Sequence, residues 1–355
     1  MEALREGFTT GSCAAAAALA CCLWQRDGVC PKQVSLTVPE GRTFTAEIVS
    51  HADGSCGVIK DSGDDPDITN GMEIVVRVEP AENEGAVRFA AGDGVGRITA
   101  PGLKLPVGEA AINPVPRQMI EEAVRSVFQR RACLVTVSIP GGRELAMRTF
   151  NPRLGIEGGL SVLGTSGIVR PMSSRALRDS LAEELNMRVA QGHTSLIYTF
   201  GNQGERAMQR LFPGIPVVQV SNEIGFMLDA ARERGIQSIL LGGHPGKLAK
   251  VAAGIMQTHS RWADGRREAI ITQLARMNAP LPLIESVYAC VTTDAAADRI
   301  HSAGFDAVWG KVAEAARHYC ELRLGGGIQI RVVCLDRQGR ILGHAGAQRE
   351  NGGRI

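Results

Sequence analysis

The chain has 355 residues, 44% of them hydrophobic and 21% charged, with a formal net charge of +2. That length exceeds what one compact core usually organises, so two domains are expected. The near balance of charge argues against a protein held to nucleic acid by bulk electrostatics. Charge is uneven along the chain: 15 Lys and Arg stand against 19 Asp and Glu in residues 1–150, and 24 against 18 in residues 151–355. The basic second half suits an anionic small molecule. Nine cysteines, an odd number with no Cys-x-x-Cys pair, do not read as a disulfide framework, and a reducing cytoplasm is expected.

The first element begins in GFTTGSCAAAAALACCLW, residues 7–24. Its apolar run has the length of a signal-peptide core and is too short to span a bilayer. The leader before it carries Glu2, Arg5 and Glu6, where a signal needs net positive charge, so a helix is expected instead. Thr9, Thr10 or Ser12 caps it, alanine propagates it, and its small residues let another backbone or a flat ligand come close. VSLTV, PEGR and TFTAEIV then read as a hairpin. The polar loop KDSGDDPDITNG precedes the strand MEIVVRVE, the glycine-rich GDGVG leads to INPVPR, and MIEEAVRSVFQRR reads as an amphipathic helix. LVTVSI, a turn at PGGR and ELAMRTF are expected to form a second hairpin. Strands in runs with few helices predict an α+β domain over residues 1–150.

The rhythm changes after that. GLSVLG, SLIYTF, VVQV and SILLGG are each followed by a loop and a helical stretch. Strand, loop and helix recurring four times predict a Rossmann-like parallel-sheet α/β domain over residues 151–355. Helices near residues 264–276 and 307–322 are expected to cover the sheet, and IQIRVVCLD with RILGHAG to close it as a hairpin. No stretch reaches transmembrane length.

Ligands of open parallel sheets bind at the carboxyl ends of the strands. Those ends are GTSG (residues 164–167), GNQGE (201–205), SNE (221–223) and GGHPGK (242–247). Four glycine-rich or polar ends in succession suit a nucleotide-like ligand, although glycines also simply terminate strands. GGHPGK is not a phosphate loop: Leu241 stands where the first glycine belongs and Leu248 where Ser or Thr belongs. The dinucleotide fingerprint is missing from the strand–helix turns, the acidic loop fails calcium-loop spacing, and the seven histidines have no metal-ligand spacing, so no metal is expected. His244 stands out only by lying in a strand-end loop. In the acidic loop, the carboxylates either accept a proton or position a cation, or bond their own backbone in a turn.

Six stretches taken together carry a resemblance: GFTTGSCAAAAALA, KDSGDDPDITNG, AINPVPRQMI, TFNPRLGIEGGLSVLGTSGIVRPMS, GNQGE and HSRWADGRRE. They resemble the cobalt-precorrin-5B C-1-methyltransferase family of anaerobic cobalamin synthesis, in order over residues 7 to about 270. Phe8 and Ser12 stand where family members often show tyrosine and threonine, so Phe8 is given no catalytic role. The resemblance implies methyl transfer from S-adenosylmethionine to C-1 of a cobalt-containing tetrapyrrole, giving cobalt-precorrin-6A, with no nucleic acid or membrane partner and a homo-oligomer left open.

Carried over by motif, substrate contacts fall on Thr9, Thr10, Ser12, Lys60, Asn113, Arg117, Arg153 and Arg170. The exposed N–H groups where the alanine helix starts would receive an anion. The donor falls on Gly164, Thr165, Ser166, Gly201, Asn202, Gly204, Asn222, Gly242 and Gly243, with Glu223 or Glu205 on the ribose diol. Asp61 or Asp65 would accept a proton. Rival readings are a nicotinamide-dependent dehydrogenase and a non-catalytic carrier of a corrinoid intermediate.

Overall fold

The threonine-rich turn starts a helix as expected. In the computed structural model, which describes residues 4–346, Thr9 is the extended N-cap of helix Thr10–Asp27, and its side chain accepts from the Ser12 N–H. Gly28, left-handed at φ 74°, ends the helix. Its alanines and Cys13, Cys21 and Cys22 are all but fully buried, apart from a partly exposed rim that includes Leu19. A helix buried on nearly every side is a core element rather than an amphipathic cover. It packs against helix Pro114–Phe128 and strands Cys56–Ile59 and Glu73–Glu84. Small residues permit this: a Cβ on Gly11 would lie 2.8 Å from Pro116 Cγ.

The expected hairpin forms between Gln33–Thr37 and Thr43–Glu47, with Val34 opposite Ala46, around a turn with Gly41 at φ 82°. A five-stranded sheet follows, in the order Val49–Ser50, Cys56–Ile59, Glu73–Glu84, Arg131–Ser138, Val87–Ala91; only the last pair is parallel. The second expected hairpin is corrected here. Both edges of Arg131–Ser138 are taken by Glu73–Glu84 and Val87–Ala91, and the chain beyond Gly141 turns into the short helix Gly142–Ala146.

The chain divides into compact units Met1–Leu177 and Arg178–Ile355, later than the expected boundary at 150/151. Residues just beyond 150 pair backwards: Ile156–Glu157 with Arg97–Ile98, and Ile168–Val169 with Gly7–Phe8. GLSVLG belongs with them, because Leu160 and Val162 bridge Val95 and Ile112. It is not a strand of the parallel sheet.

That sheet, in the second unit, runs Val217–Gln219, Ser195–Thr199, Ser238–Gly243, Gln329–Leu335, Ile341–Ala345. The first four strands are parallel and the last is antiparallel. Three of the four expected strand–loop–helix repeats build it. The fourth parallel strand comes from the closing hairpin, whose Gln329–Leu335 pairs with Ser238–Gly243 as well as with its hairpin partner. Helix Val308–Leu324 packs on helix Pro245–Ala252 and on both hairpin strands. Among the described residues no helix is long and apolar enough to cross a membrane.

Candidate functional site

In the second unit the strand order reverses between Ser195–Thr199 and Ser238–Gly243, and loops that diverge at such a point leave a crevice. Thr199 pairs with Gln219 on one side and Gly242 on the other. It is 0% exposed, and its hydroxyl has no hydrogen-bond partner among the described residues. A buried polar atom left unpaired costs about 1–3 kcal/mol, so it marks a place where a ligand group or a water would be stabilising. The Thr199 Cβ faces the first turn of helix Asn202–Leu211, 3.7 Å from where a Cβ on Gly204 would lie.

That helix starts at Gly201 with no side-chain cap. Gly201 is extended at φ 175°, and a Cβ there would meet nothing within 4 Å. The fold itself therefore makes no demand for glycine at 201. It does at the two neighbouring glycines: a Cβ on Gly242 would lie 2.5 Å from Met208 Sδ, and one on Gly243 would lie 2.7 Å from Phe200 Cδ2. Packing accounts for both.

His244 follows as N-cap of helix Pro245–Ala252. Its Nδ1 lies 3.2 Å from the Leu335 carbonyl, and since a carbonyl only accepts, Nδ1 carries a proton. Nε2 is buried with no partner among the described residues. Thr199 and His244 were given no role by the sequence motifs; the signal for them was only their place at strand ends.

The remaining polar groups on this edge are engaged. Gln219 Nε2 donates to Asn202 Oδ1 at 2.6 Å and to Glu205 Oε2 at 2.7 Å. Glu223 is 2% exposed; Arg178 Nε donates to one carboxylate oxygen at 2.7 Å and Gln257 Nε2 to the other at 2.6 Å. Both oxygens thus already serve the fold, which weakens the ribose role expected of Glu223. Asn222 Oδ1 accepts from Lys247 Nζ and, at 3.2 Å, from Thr258 Oγ1.

Gly164, Thr165 and Ser166 are not on this edge. They lie in the first unit, where a Cβ on Gly164 would sit 2.4 Å from Thr9 Oγ1 and the Ser166 hydroxyl donates to Ile168 O at 3.0 Å. The strand-end argument for a donor contact therefore does not apply to them.

Anion reception by the alanine helix is also corrected. The N–H groups of Gly11, Ser12 and Cys13 bond Leu163 O, Thr9 Oγ1 and Thr9 O. The Thr10 hydroxyl donates to Leu163 O and accepts from Leu163 N, while Ser12 Oγ donates to Gly167 O at 2.7 Å. All three hydroxyl residues are buried and tie the helix start to residues 163–167.

Lys60 is buried, with Nζ donating to Ser62 Oγ and to Asp67 Oδ2 at 2.6 Å. Arg117 donates to Ile112 O, Ala110 O and Glu109 and stacks over Phe89 at 5.1 Å. Arg170 pairs with Glu6 and Glu40, and Arg153 lies over the Phe150 ring at 5.9 Å. Asn113 is the N-cap of helix Pro114–Phe128 without a side-chain cap bond, and is half-buried.

Of the two acids, Asp61 is paired with Arg5, whose hydrogen bonds hold the carboxyl below its usual range. A carboxylate so stabilised is a poor proton acceptor. Asp65 accepts the Met172 N–H at 2.9 Å. Among the described residues no group of three or more His, Cys, Asp or Glu is placed to hold a metal ion.

Comparison with known proteins completes the picture. A family model described as CbiD matches residues 1–171, and one described as CbiD, C-terminal domain, matches residues 257–346. Curated relatives named cobalt-precorrin-5B C(1)-methyltransferase include one from Desulfitobacterium hafniense (strain Y51), 41% identical over 92% of this chain and 86% of its own. Another, from Moorella thermoacetica, is 40% identical over 97% of this chain and 95% of its own. A crystal structure of the cobalamin biosynthesis protein (cbiD) from Archaeoglobus fulgidus is 27% identical, covers 75% of this chain and 84% of that chain, and has a TM-score of 0.39. With family models on residues 1–171 and 257–346 and relatives at this identity along nearly its whole length, the chain belongs to the CbiD family, with the cobalt-precorrin-5B C(1)-methyltransferases.

Proposed function

We propose that the protein moves a methyl group from S-adenosylmethionine to C-1 of cobalt-precorrin-5B, giving cobalt-precorrin-6A. The relatives that share about two-fifths of its residues carry that name, and neither a dehydrogenase nor a passive carrier is favoured by them. We read the second unit as Rossmann-like and place the donor at its strand-order reversal. The observation that carries this placement is the turn at Gly201, uncapped and open to a Cβ, beside the unpaired Thr199 hydroxyl.

The donor supplies an electrophilic methyl on sulfur; the new bond forms at ring carbon as the carbon–sulfur bond breaks, its electron pair staying on sulfur. In-line alignment then carries much of the rate, and alignment is what this edge offers. The first N–H groups of helix Asn202–Leu211 lack intrahelical partners and suit the carboxylate of an amino-acid moiety. Thr199 Oγ and His244 Nε2 add two buried polar atoms with no partner among the described residues. Gly201, Asn202, Gly204 and Asn222 stay in the donor site, whereas Gly242 and Gly243 let Met208 and Phe200 close the wall behind it. A proton leaving the ring suits Asp65 better than the Arg5-paired Asp61. The nine unbridged cysteines fit a cytoplasmic setting.

Gly201→Val tests the placement. An extended backbone with no neighbour within 4 Å accommodates valine, so the fold should persist. Calorimetric titration with S-adenosylhomocysteine should show at least about tenfold weaker binding, a loss of roughly 1.4 kcal/mol. Unchanged affinity would move the donor elsewhere.

A further inference from the structure

Two ammonium groups in the second unit share one carbonyl. Lys247 and Lys250, both on helix Pro245–Ala252, donate to Thr258 O at 3.4 and 3.1 Å. Lys250 is 2% exposed and also donates to Ser260 Oγ at 3.3 Å and Ala263 O at 2.9 Å. Lys247, half-buried, reaches Thr258 Oγ1 at 3.3 Å and Asn222 Oδ1. Every one of these acceptors is neutral. The carboxylate nearby, Asp264, is chelated by the Arg266 guanidinium at 2.5 and 2.7 Å. Burial, then repulsion from Lys250 and Arg266, holds Lys247 below the usual lysine range; burial also lowers Lys250, against the attraction of Asp264.

Like charges this close repel, and a buried ammonium whose nearest carboxylate is shared with a guanidinium is short of counter-charge, which is costly. The arrangement asks for an anion. We propose that Lys247, backed by Lys250 and framed by Asn222 and Thr258, binds a carboxylate of a ligand at the carboxyl edge of the parallel sheet. Asn222 follows the strand Val217–Gln219, which fixes the site to that edge. The long contacts to Thr258 would be exchanged for one charge-assisted bond near about 2.8 Å. The carboxylate comes either from an acid arm of the tetrapyrrole or from the amino-acid end of the donor. That choice of sources rests on the methyltransferase reading; the anion site does not.

The test is the full-length protein carrying Lys247→Met or Lys247→Arg, with melting temperature checked first. S-adenosylhomocysteine is titrated calorimetrically, and uroporphyrin, a stable polycarboxylate tetrapyrrole, by absorbance at low and high salt. Lys247→Met should weaken one of the two ligands at least tenfold and leave the other within twofold, and Lys247→Arg should restore most of the loss. A porphyrin loss assigns the site to the tetrapyrrole, and a loss of the thioether ligand assigns it to the donor. Both affinities within twofold of wild type, or equal losses that arginine does not rescue, would overturn the proposal. Wild-type protein that binds porphyrin but not S-adenosylhomocysteine would sink the donor placement while the lysine is still judged on the porphyrin arm. Wild-type protein that binds neither would overturn both.

Discussion

Lys60→Met decides whether a residue expected on the substrate serves the fold instead. The Lys60 side chain is 1% exposed and the Asp67 carboxylate it grips at 2.6 Å is 25% exposed. Asp67 also accepts the N–H of Thr69 at 2.8 Å and its hydroxyl at 2.7 Å, so the pair organises residues 60–69. Methionine keeps the stem but leaves the carboxylate without its cation. Breaking a fully buried pair costs about 3–5 kcal/mol; with water able to reach Asp67, about 2–3 kcal/mol is expected here. For a unit of this size that lowers the melting temperature by about 5–10 °C.

The pH dependence has a definite sign. Burial pushes the Asp67 carboxyl up, but Lys60 and Thr69 together outweigh burial and hold it below its usual range. A carboxyl lowered in the fold contributes stability that is present above its unfolded pKa, about 3.9, and lost as pH falls through the lower folded value. Without Lys60 that contribution disappears. The gap between the two proteins should be widest above about pH 5 and narrow towards about pH 3. Melts followed by circular dichroism across this range check it. An unchanged melting temperature, together with weaker tetrapyrrole binding, would refute the structural assignment and return Lys60 to the substrate.

Thr199→Val keeps shape and removes the unpaired hydroxyl, so stability of the second unit should rise by about 1 kcal/mol while S-adenosylhomocysteine binds about 2–10-fold more weakly. A loss of stability with unchanged affinity would mean that the hydroxyl has a structural partner. Gly243→Ala drives a Cβ into the Phe200 ring and should cost about 1–3 kcal/mol in chemical denaturation, with ligand affinity of the folded protein retained. Asp61→Asn should leave kcat within a few-fold, because Arg5 already holds that carboxylate; a fall of about 10²–10⁴ would identify it as the base after all.

Much of the architecture is legible locally. A hydroxyl cap on the first helix, the hairpin over residues 33–47, and the strand–loop–helix repeats after residue 195 all follow from capping chemistry and residue period. Two segments lie elsewhere than their pattern suggests, for one reason. ELAMRTF and GLSVLG have extended-looking patterns, but a pattern says that a segment is apolar and regular, not which sheet edge is vacant. The edges of Arg131–Ser138 were already taken, and GLSVLG was claimed by Val95 and Ile112.

The site divides along the same line. Residue type announces that Thr9, Lys60, Arg117 and Glu223 can bond, and the motifs around them place the chain in its family. Whether the partner is a ligand or the protein itself is decided by the fold: Gly167 O takes the Thr9 N–H, Asp67 takes Lys60, Glu109 takes Arg117 and Arg178 takes Glu223. The groups left wanting, Thr199 and His244, and the crowded Lys247 and Lys250, are marked in the sequence by no more than a place at or near a strand end. Sequence by itself determined the family, the hydroxyl-capped start of the first helix and three strands of the parallel sheet, because motifs, capping and residue period are local. Only the tertiary structure decided which polar groups are spent and which are not, because burial and charge balance are set by residues far apart in the chain.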